Sequence, residues 1–205
     1  MKILIISDKV TRLLYENFDK TKFKDISFVI SCGDLPTYYL NFIIDALNVP
    51  CFYVPGNHDR EFSENPPLGW VSLHNKIVVH EGLKMMGLGG SPFYNGESEF
   101  QYTESQMAFK LFKLRSKLWW RDPIDIFVTH TPAKDLGDIK DSHTHGGFQC
   151  FHKVLDIHKP KLFTYGHVHI TYGGIRGLEH NNTVLVNAYD HQIINWDKML
   201  KKNDS

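Results

Sequence analysis

Five apolar runs in this 205-residue chain each end in oxygen or nitrogen donors. "KILIIS" runs into Asp8, "ISFVISC" into Gly33 and Asp34, and "CFYVP" into Gly56, Asn57, His58 and Asp59. "IDIFVTH" ends on His130, and "KLFTYGHVH" delivers His167 and His169. Glycine, amide and carboxylate after a strand also make an ordinary turn, because Gly and Asn tolerate positive φ and Asp caps well. Five such ends in one chain point further. In layered α/β folds, sites form outside the carboxyl ends of the strands, so donors placed there converge. Two carboxylates, one amide oxygen and three imidazoles, with no thiolate motif, suit Mn, Fe or Zn. The set exceeds what one ion needs. It matches two ions about 3.5–4 Å apart, the arrangement used for in-line phosphoryl displacement.

Such donors need a scaffold, and the runs themselves read as strands buried on both faces. Residues 36–48, "PTYYLNFIIDALN", read as a helix opened by proline. Residues 104–120 read as an amphipathic helix, with Met107, Leu111, Leu114 and Leu118 on one face and Lys110, Lys113, Lys117 and Arg121 near the other. A third helix is expected over 148–158, after Gly146 and Gly147. Short alternating strands are expected in "KIVVHEG", "LKMMGLGG", "ITYGGIRG", "TVLVNA" and "QIINWD". Together these elements predict an α/β (α+β layered) fold in a single domain spanning 1–205. The 60–70 and 91–102 segments are expected to shape a pocket mouth, and the "KKNDS" tail to fray.

Hydrophobic residues at 42% and charged residues at 22% fit a soluble chain with a real core. Lys+Arg and Asp+Glu both number 23, so net charge supplies no general pull toward nucleic acid or a membrane surface. "ILIIS" is too short for a signal segment or a membrane span. Cys32, Cys51 and Cys150 form no CxxC pair, which fits reduced thiols and a cytoplasmic location. "GLGGS" lacks the last glycine of the dinucleotide fingerprint.

In chain order, "SDKV", "CGDL", "PGNHD", "VTHTP" and "YGHVH" resemble the pattern of calcineurin-like metallophosphoesterases: D-x-H, G-D, G-N-H-D, a lone His, then G-H-x-H. The match runs from residue 7 to 169. The resemblance implies a metallophosphoesterase-like β-sandwich of two mixed sheets flanked by helices, around two divalent metal ions (Mn, Fe or Zn). It implies that Asp34 bridges the pair, that Asn57, His130 and His167 complete one site, and that Asp8 and His169 serve the other. His58 would stand over the scissile phosphate as acid or stabiliser, with Asp59 orienting its ring. A metal-bridging hydroxide would be the nucleophile. One departure matters: Val10 stands where the D-x-H pattern has its histidine. One metal is therefore expected to bind tightly and one weakly. Lys9 points to the opposite face of the strand, which leaves water or His191 to fill the gap. "VNAYD" stands where the family has Asn-Pro-Gly, which leaves Asn187 without a role.

The resemblance implies an enzyme hydrolysing a small phosphodiester or phosphomonoester, with nucleotide-like substrates favoured. Arg60 either steers a phosphate or is a solvated loop charge. His143 and His145 precede Gly146 and Gly147, whose amides either hold phosphate at a helix N-terminus or are ordinarily capped. The lysine stripe of 110–121 reads as a solvated face and nucleic-acid contact is not expected. Trp119 and Trp120 read as core anchors and Cys32 as a buried strand end. The alternative is a non-catalytic scaffold with a degenerate metal site; Val10 favours it, and His58 with Asp59 opposes it.

Overall fold

The computed structural model describes residues 1–118, 122–140, 142 and 144–203. Trp119, Trp120, Arg121 and His143 lie outside the described residues. The strands are β1 (Lys2–Ser7), β2 (Ile26–Ser31), β3 (Cys51–Tyr53), β4 (Val71–Ser72), β5 (Lys76–His80), β6 (Leu83–Leu88), β7 (Ser91–Pro92), β8 (Gln101–Tyr102), β9 (Ile126–Thr129), β10 (Leu162–Tyr165), β11 (Gly177–His180), β12 (Thr183–Asn187) and β13 (Asp190–Asn195). The helices are α1 (Lys20–Phe23), α2 (Thr37–Leu47), α3 (Glu104–Arg115), α4 (His152–Ile157) and α5 (Trp196–Asn203).

Alternation along β1 shows how these elements assemble. Ile3 and Ile5 face one way, Leu4 and Ile6 the other, and all four are fully buried. Ile3 and Ile5 meet Phe28, Ile30 and Val54, and also Met85, Ile126, Val128 and Leu162 from a second sheet. Leu4 and Ile6 meet Tyr39, Leu40 and Ile43 of α2. The second sheet repeats this: Met86, Leu88, Phe127 and Phe163 turn outward onto Met107 and Leu111 of α3 and Leu155 of α4. Each such side chain contributes about 1.5–3 kcal/mol by leaving water. The strand orders are β13-β1-β2-β3-β4 and β11-β12-β10-β9-β6-β5, both mixed. This is the expected sandwich of two mixed sheets flanked by helices. Strands β1, β2 and β3 run parallel, as do β6, β9, β10 and β12, so their carboxyl ends emerge along shared edges.

Local chemistry sets the helix ends. Helix α2 follows Pro36 and stops at Asn48, whose φ of 54° is left-handed. Thr103 and Gln106 form a reciprocal capping box at the start of α3. That helix ends at Arg115 and not at residue 120, because the Ser116 hydroxyl donates to the Lys113 carbonyl (2.8 Å) and the following amides reach back only three residues. The helix expected over 148–158 is a short 3-10 turn, Gln149–Phe151, leading into α4. The strand expected in "ITYGGIRG" is displaced: Ile170–Tyr172 form a 3-10 turn closed by left-handed Gly173, and β11 begins only at Gly177. Lys201 and Lys202, placed in the frayed tail by sequence, lie within α5. Among the described residues, no helix is long and apolar enough to cross a membrane.

His74, between β4 and β5, carries a testable consequence. Its Nδ1 accepts from the Gly89 amide (2.8 Å) and its ring stacks on Tyr102. Burial first, then Lys110 and Lys76, push its pKa down to about 3. The native state therefore holds His74 neutral. Its contribution is full above the unfolded value of 6.5 and is lost as pH falls toward 3. Chemical denaturation of wild type and His74→Gln at pH 7 and pH 5 should show wild type losing about 1–2 kcal/mol more than the variant over that interval.

Candidate metal centre

The strand ends turn sharply where the donors sit. Asp8, Asp34 and His167 all have left-handed backbones, with φ of 64°, 57° and 67°. Non-glycine residues hold that conformation at a cost and only where surrounding contacts enforce it. Those contacts are present. The Asp8 amide and the Ser7 hydroxyl both donate to the Gly33 carbonyl (3.1 and 3.0 Å). The His167 amide donates to both Asp8 oxygens (3.1 and 2.9 Å). One oxygen of Asp59 takes the amides of Asp34 (2.8 Å) and Gly56 (2.7 Å), clamping the loop after β2 to the loop after β3.

Asp34 is the hub. Its Oδ1 accepts from the His58 amide (2.8 Å), and its Oδ2 lies 3.3 Å from His130 Nε2 and 4.0 Å from His58 Nε2. His130 is fully buried, and its Nδ1 donates to the Cys32 carbonyl at 2.7 Å. A carbonyl only accepts, so Nδ1 carries a proton, and in the neutral ring Nε2 presents its lone pair. That lone pair faces Asp34 Oδ2 and, at 3.1 Å, Asn57 Oδ1. Likewise His167 Nε2 donates to the Thr144 carbonyl (2.6 Å), which frees Nδ1. A carboxylate oxygen, an amide oxygen and an imidazole lone pair directed at one point repel each other unless a cation stands there. Among the described residues, the group with metal-ligand character is Asp34, His130 and His167, whose ligand atoms lie within 4.8 Å of one another. The donor set therefore fits a divalent ion.

The electrostatics agree. Burial opposes charge on Asp34, yet His130 and the His58 amide hold its carboxyl down at about 2. Burial likewise opposes charge on His130, but Asp34, with Asp8 and the Cys32 carbonyl, raises it to about 9, so a proton there takes the place of the cation. Burial and His130 push His167 down to about 3, the neutral form a ligand needs. Burial and the Asp34 charge raise both Asp8 and Asp59 to about 7. Three acidic groups in close quarters that resist ionising together are a site arranged for positive charge.

The second cluster is sparser. Asp8 Oδ1 lies 3.9 Å from His169 Nε2. Val10 packs into the apolar cluster with Leu4, Leu14 and Tyr39 and offers nothing to an ion. The expected substitute His191 does not line the cavity: its Nδ1 is paired with Asp190 Oδ1 (2.8 Å), and Lys9, placed on the opposite face by sequence, has its Nζ 3.5 Å from Asp190 Oδ2. The structure brings His145 instead. It lines a cavity of about 540 Å³ with Asp8, Asp34, His58, His167 and His169, its ring 5.3 Å from that of His167 and 6.4 Å from that of His169.

Other expectations change. Asp59 Oδ2 takes the backbone amides of Asp34 and Gly56, a role beyond the one expected for it. Arg60 pairs with Glu97 (2.7 Å) in the solvent-exposed rim. The amides after Gly146 offer no phosphate seat: the Gly147 amide donates to Asp138 (3.0 Å), and the Gln149 and Cys150 amides donate to Glu104 (3.1 and 2.7 Å). Asn187 gains a role, tying its amide nitrogen to the Val168 carbonyl (2.7 Å) and so anchoring the loop between His167 and His169. Sequence reasoning missed Thr144 and Tyr94; the first acts through its backbone carbonyl, and the second sits in a segment with no periodicity.

The calcineurin-like phosphoesterase family description matches residues 1–171. A solved chain of 16% identity aligns with a TM-score of 0.71 over 96% of this chain and 95% of that one. TT1561 of Thermus thermophilus aligns at 0.69, with 18% identity over 97% and 95% of the two chains. GAP50, the anchor in the inner membrane complex of Plasmodium, aligns at 0.51, with 14% identity over 91% of this chain and 70% of its own. No curated protein matches. At these identities the structural likeness is one of fold. The family match reaches further, since it covers 171 of 205 residues and every strand end that contributes a donor to the centre: this chain belongs to the calcineurin-like phosphoesterase family.

Proposed function

We propose that the protein is a metal-dependent phosphoesterase acting on a small phosphodiester or phosphomonoester, with nucleotide-like substrates favoured. The observation that carries this reading is the gathering of Asp34 Oδ2 (3.3 Å) and Asn57 Oδ1 (3.1 Å) about the buried His130 Nε2, beside a cavity that Asp34 and His167 line. Asp34, Asn57, His130 and His167 would hold one divalent ion tightly, and Asp8, Asp34 and His169 a second weakly. Divalent cations held there would supply Lewis acidity to phosphoryl oxygens and lower the pKa of bound water.

The chain's own groups supply the rest. His58 is held by its amide on Asp34, while its ring stays 68% exposed above the centre. From there Nε2 can pass a proton to the departing oxygen or neutralise charge on the phosphoryl group. His145 offers a second imidazole to the substrate from the cavity wall. Asp59 keeps the two donor loops in register. A cavity of about 540 Å³ suits a small molecule. Residues 1–205 act as one domain, supported by β12 pairing with β10 and β13 with β1 beyond the family match. Free, buried Cys32, Cys51 and Cys150 support a reducing, cytoplasmic setting.

Hydrolysis of an aryl phosphodiester and an aryl phosphomonoester with added Mn²⁺ tests the reading. His58→Ala should lower kcat about 100-fold while metal content holds. The second reading, a non-catalytic scaffold, is favoured by Val10 in its apolar cluster. Equal rates in wild type and His58→Ala would select it.

A further inference from the structure

We infer that Tyr94 is a positioning residue for the metal centre: its phenol oxygen accepts from the Asn57 amide nitrogen and fixes the carboxamide where its oxygen reaches His130 and Asp34. The inference rests on reading that cluster as a metal site. Asn57 is 2% exposed, Nδ2 donates to Tyr94 Oη at 3.1 Å, and Oδ1 lies 3.1 Å from His130 Nε2. The two ends of a carboxamide are nearly the same size, so packing alone does not choose between them. A phenol both donates and accepts, so Tyr94 fixes the reach and plane of the carboxamide while the partners on the His130 side select the end. A flipped Asn57 would present two N–H donors to the point where a cation must sit and would remove a ligand.

Tyr94 is itself held firmly. Its loop leaves at β7 and returns at β8, which pair directly. Inside the loop one acceptor, Gln101 Oε1, takes the amides of Tyr94 (3.2 Å), Asn95 (3.2 Å) and Gly96 (3.1 Å). Gln101 Nε2 donates to Asn95 Oδ1 (2.7 Å), and Gln101 is 6% exposed. The pair of Arg60 with Glu97 ties the loop to the residue following Asp59. A buried side chain that orders three consecutive amides makes the 93–100 segment a strut, with the Tyr94 phenol at its inner end. Partners that orient ligands from outside in this way govern metal affinity without touching the metal.

The test is a double-mutant cycle on Mn²⁺ affinity, read by calorimetry, with thermal melting of the metal-free proteins alongside. Tyr94→Phe keeps the ring and removes the acceptor. It should weaken the tighter Mn²⁺ site about 10–100-fold while leaving the metal-free melting temperature within a few degrees of wild type. Asn57→Ala should weaken the same site at least as much, and the double variant should bind no worse than Asn57→Ala alone, because Tyr94 acts only through Asn57. Wild-type affinity in Tyr94→Phe beside a weakened Asn57→Ala would overturn the role of Tyr94 and leave the centre standing, as would strictly additive losses. Wild-type affinity in Asn57→Ala would instead overturn the reading of the centre itself.

Discussion

Asp34→Asn is expected to abolish tight metal binding and bring phosphoester hydrolysis down to the level of metal-free protein, while the metal-free chain still folds. Both halves follow from the position of this carboxylate. Asp34 Oδ2 is the charged acceptor beside His130, and an amide there is neutral and binds divalent ions weakly. The loss should exceed the roughly 100-fold upper range seen for partners that merely support a ligand. An asparagine oxygen still accepts the His58 amide, so the loop keeps its hydrogen bond. The variant also relieves Asp8 and Asp59, whose carboxyls are held near 7 by burial and by the Asp34 charge. In metal-free wild type, the stability tied to these raised groups is full below their unfolded value of 3.8 and is lost as pH rises through 7. Against this relief stands the loss of the buried pair with His130, which Asp34 holds protonated, so metal-free Asp34→Asn should melt below metal-free wild type at neutral pH. Titration of wild type with Mn²⁺ should give one tight and one weaker event and a rise in melting temperature. In Asp34→Asn that rise should vanish. A variant that still gains melting temperature at the same Mn²⁺ concentration would refute the central place given to this residue.

How much of this was legible before any coordinates depends on which atoms do the work. Asp8, Asp34, Asn57, His130, His167 and His169 would act through side chains at the ends of apolar runs, so residue type and position sufficed to propose them. The loss of a ligand at Val10 was visible for the same reason, because an aliphatic side chain lacks a donor whatever its surroundings. Interactions through the backbone left no such mark. Asp59 clamps the amides of Asp34 and Gly56, and His167 is fixed by the Thr144 carbonyl; a carbonyl or an amide is present at nearly every position, so spacing does not single one out. The phosphate seat after Gly146 is absent because Glu104, more than forty residues earlier in sequence, already holds the amides that follow. Tyr94 and Asn57 are likewise far apart in the chain, and their meeting depends on the β7–β8 pairing. The order of the strands within each sheet was hidden too, since β13 returns to pair with β1 nearly two hundred residues away, and pairing of that range is written in no local pattern.

Gly56→Ala should be severely damaging, and the damage should come from space and not from backbone conformation. A Cβ at Gly56 would collide with Asp34 Oδ1 and lie 2.7 Å from the Asp34 amide nitrogen, both inside any real contact distance. The backbone at Gly56 cannot retreat freely, because its amide is bonded to Asp59 Oδ2, which also holds the Asp34 amide. Relief requires either that Asp34 swing away, abandoning the His58 amide and His130, or that the loop after β3 lift and break the Asp59 clamp. Each route removes charge-assisted hydrogen bonds and displaces the hub of the centre. Overpacking alone costs about 1–3 kcal/mol, and each lost hydrogen bond to a charged group adds about 1.5–3 kcal/mol. Denaturant unfolding of metal-free Gly56→Ala should therefore show a loss of about 3 kcal/mol or more, and calorimetry should show no tight Mn²⁺ binding. Gly82→Ala separates the two causes. Gly82 has a φ of +80°, yet an added Cβ meets nothing within 4 Å. That variant should lose only about 1–2 kcal/mol, the cost of holding a left-handed alanine, and should bind Mn²⁺ as wild type does. If Gly82→Ala proved the worse of the two, or if Gly56→Ala still bound Mn²⁺ tightly, close approach of the two loops would not be what shapes the centre.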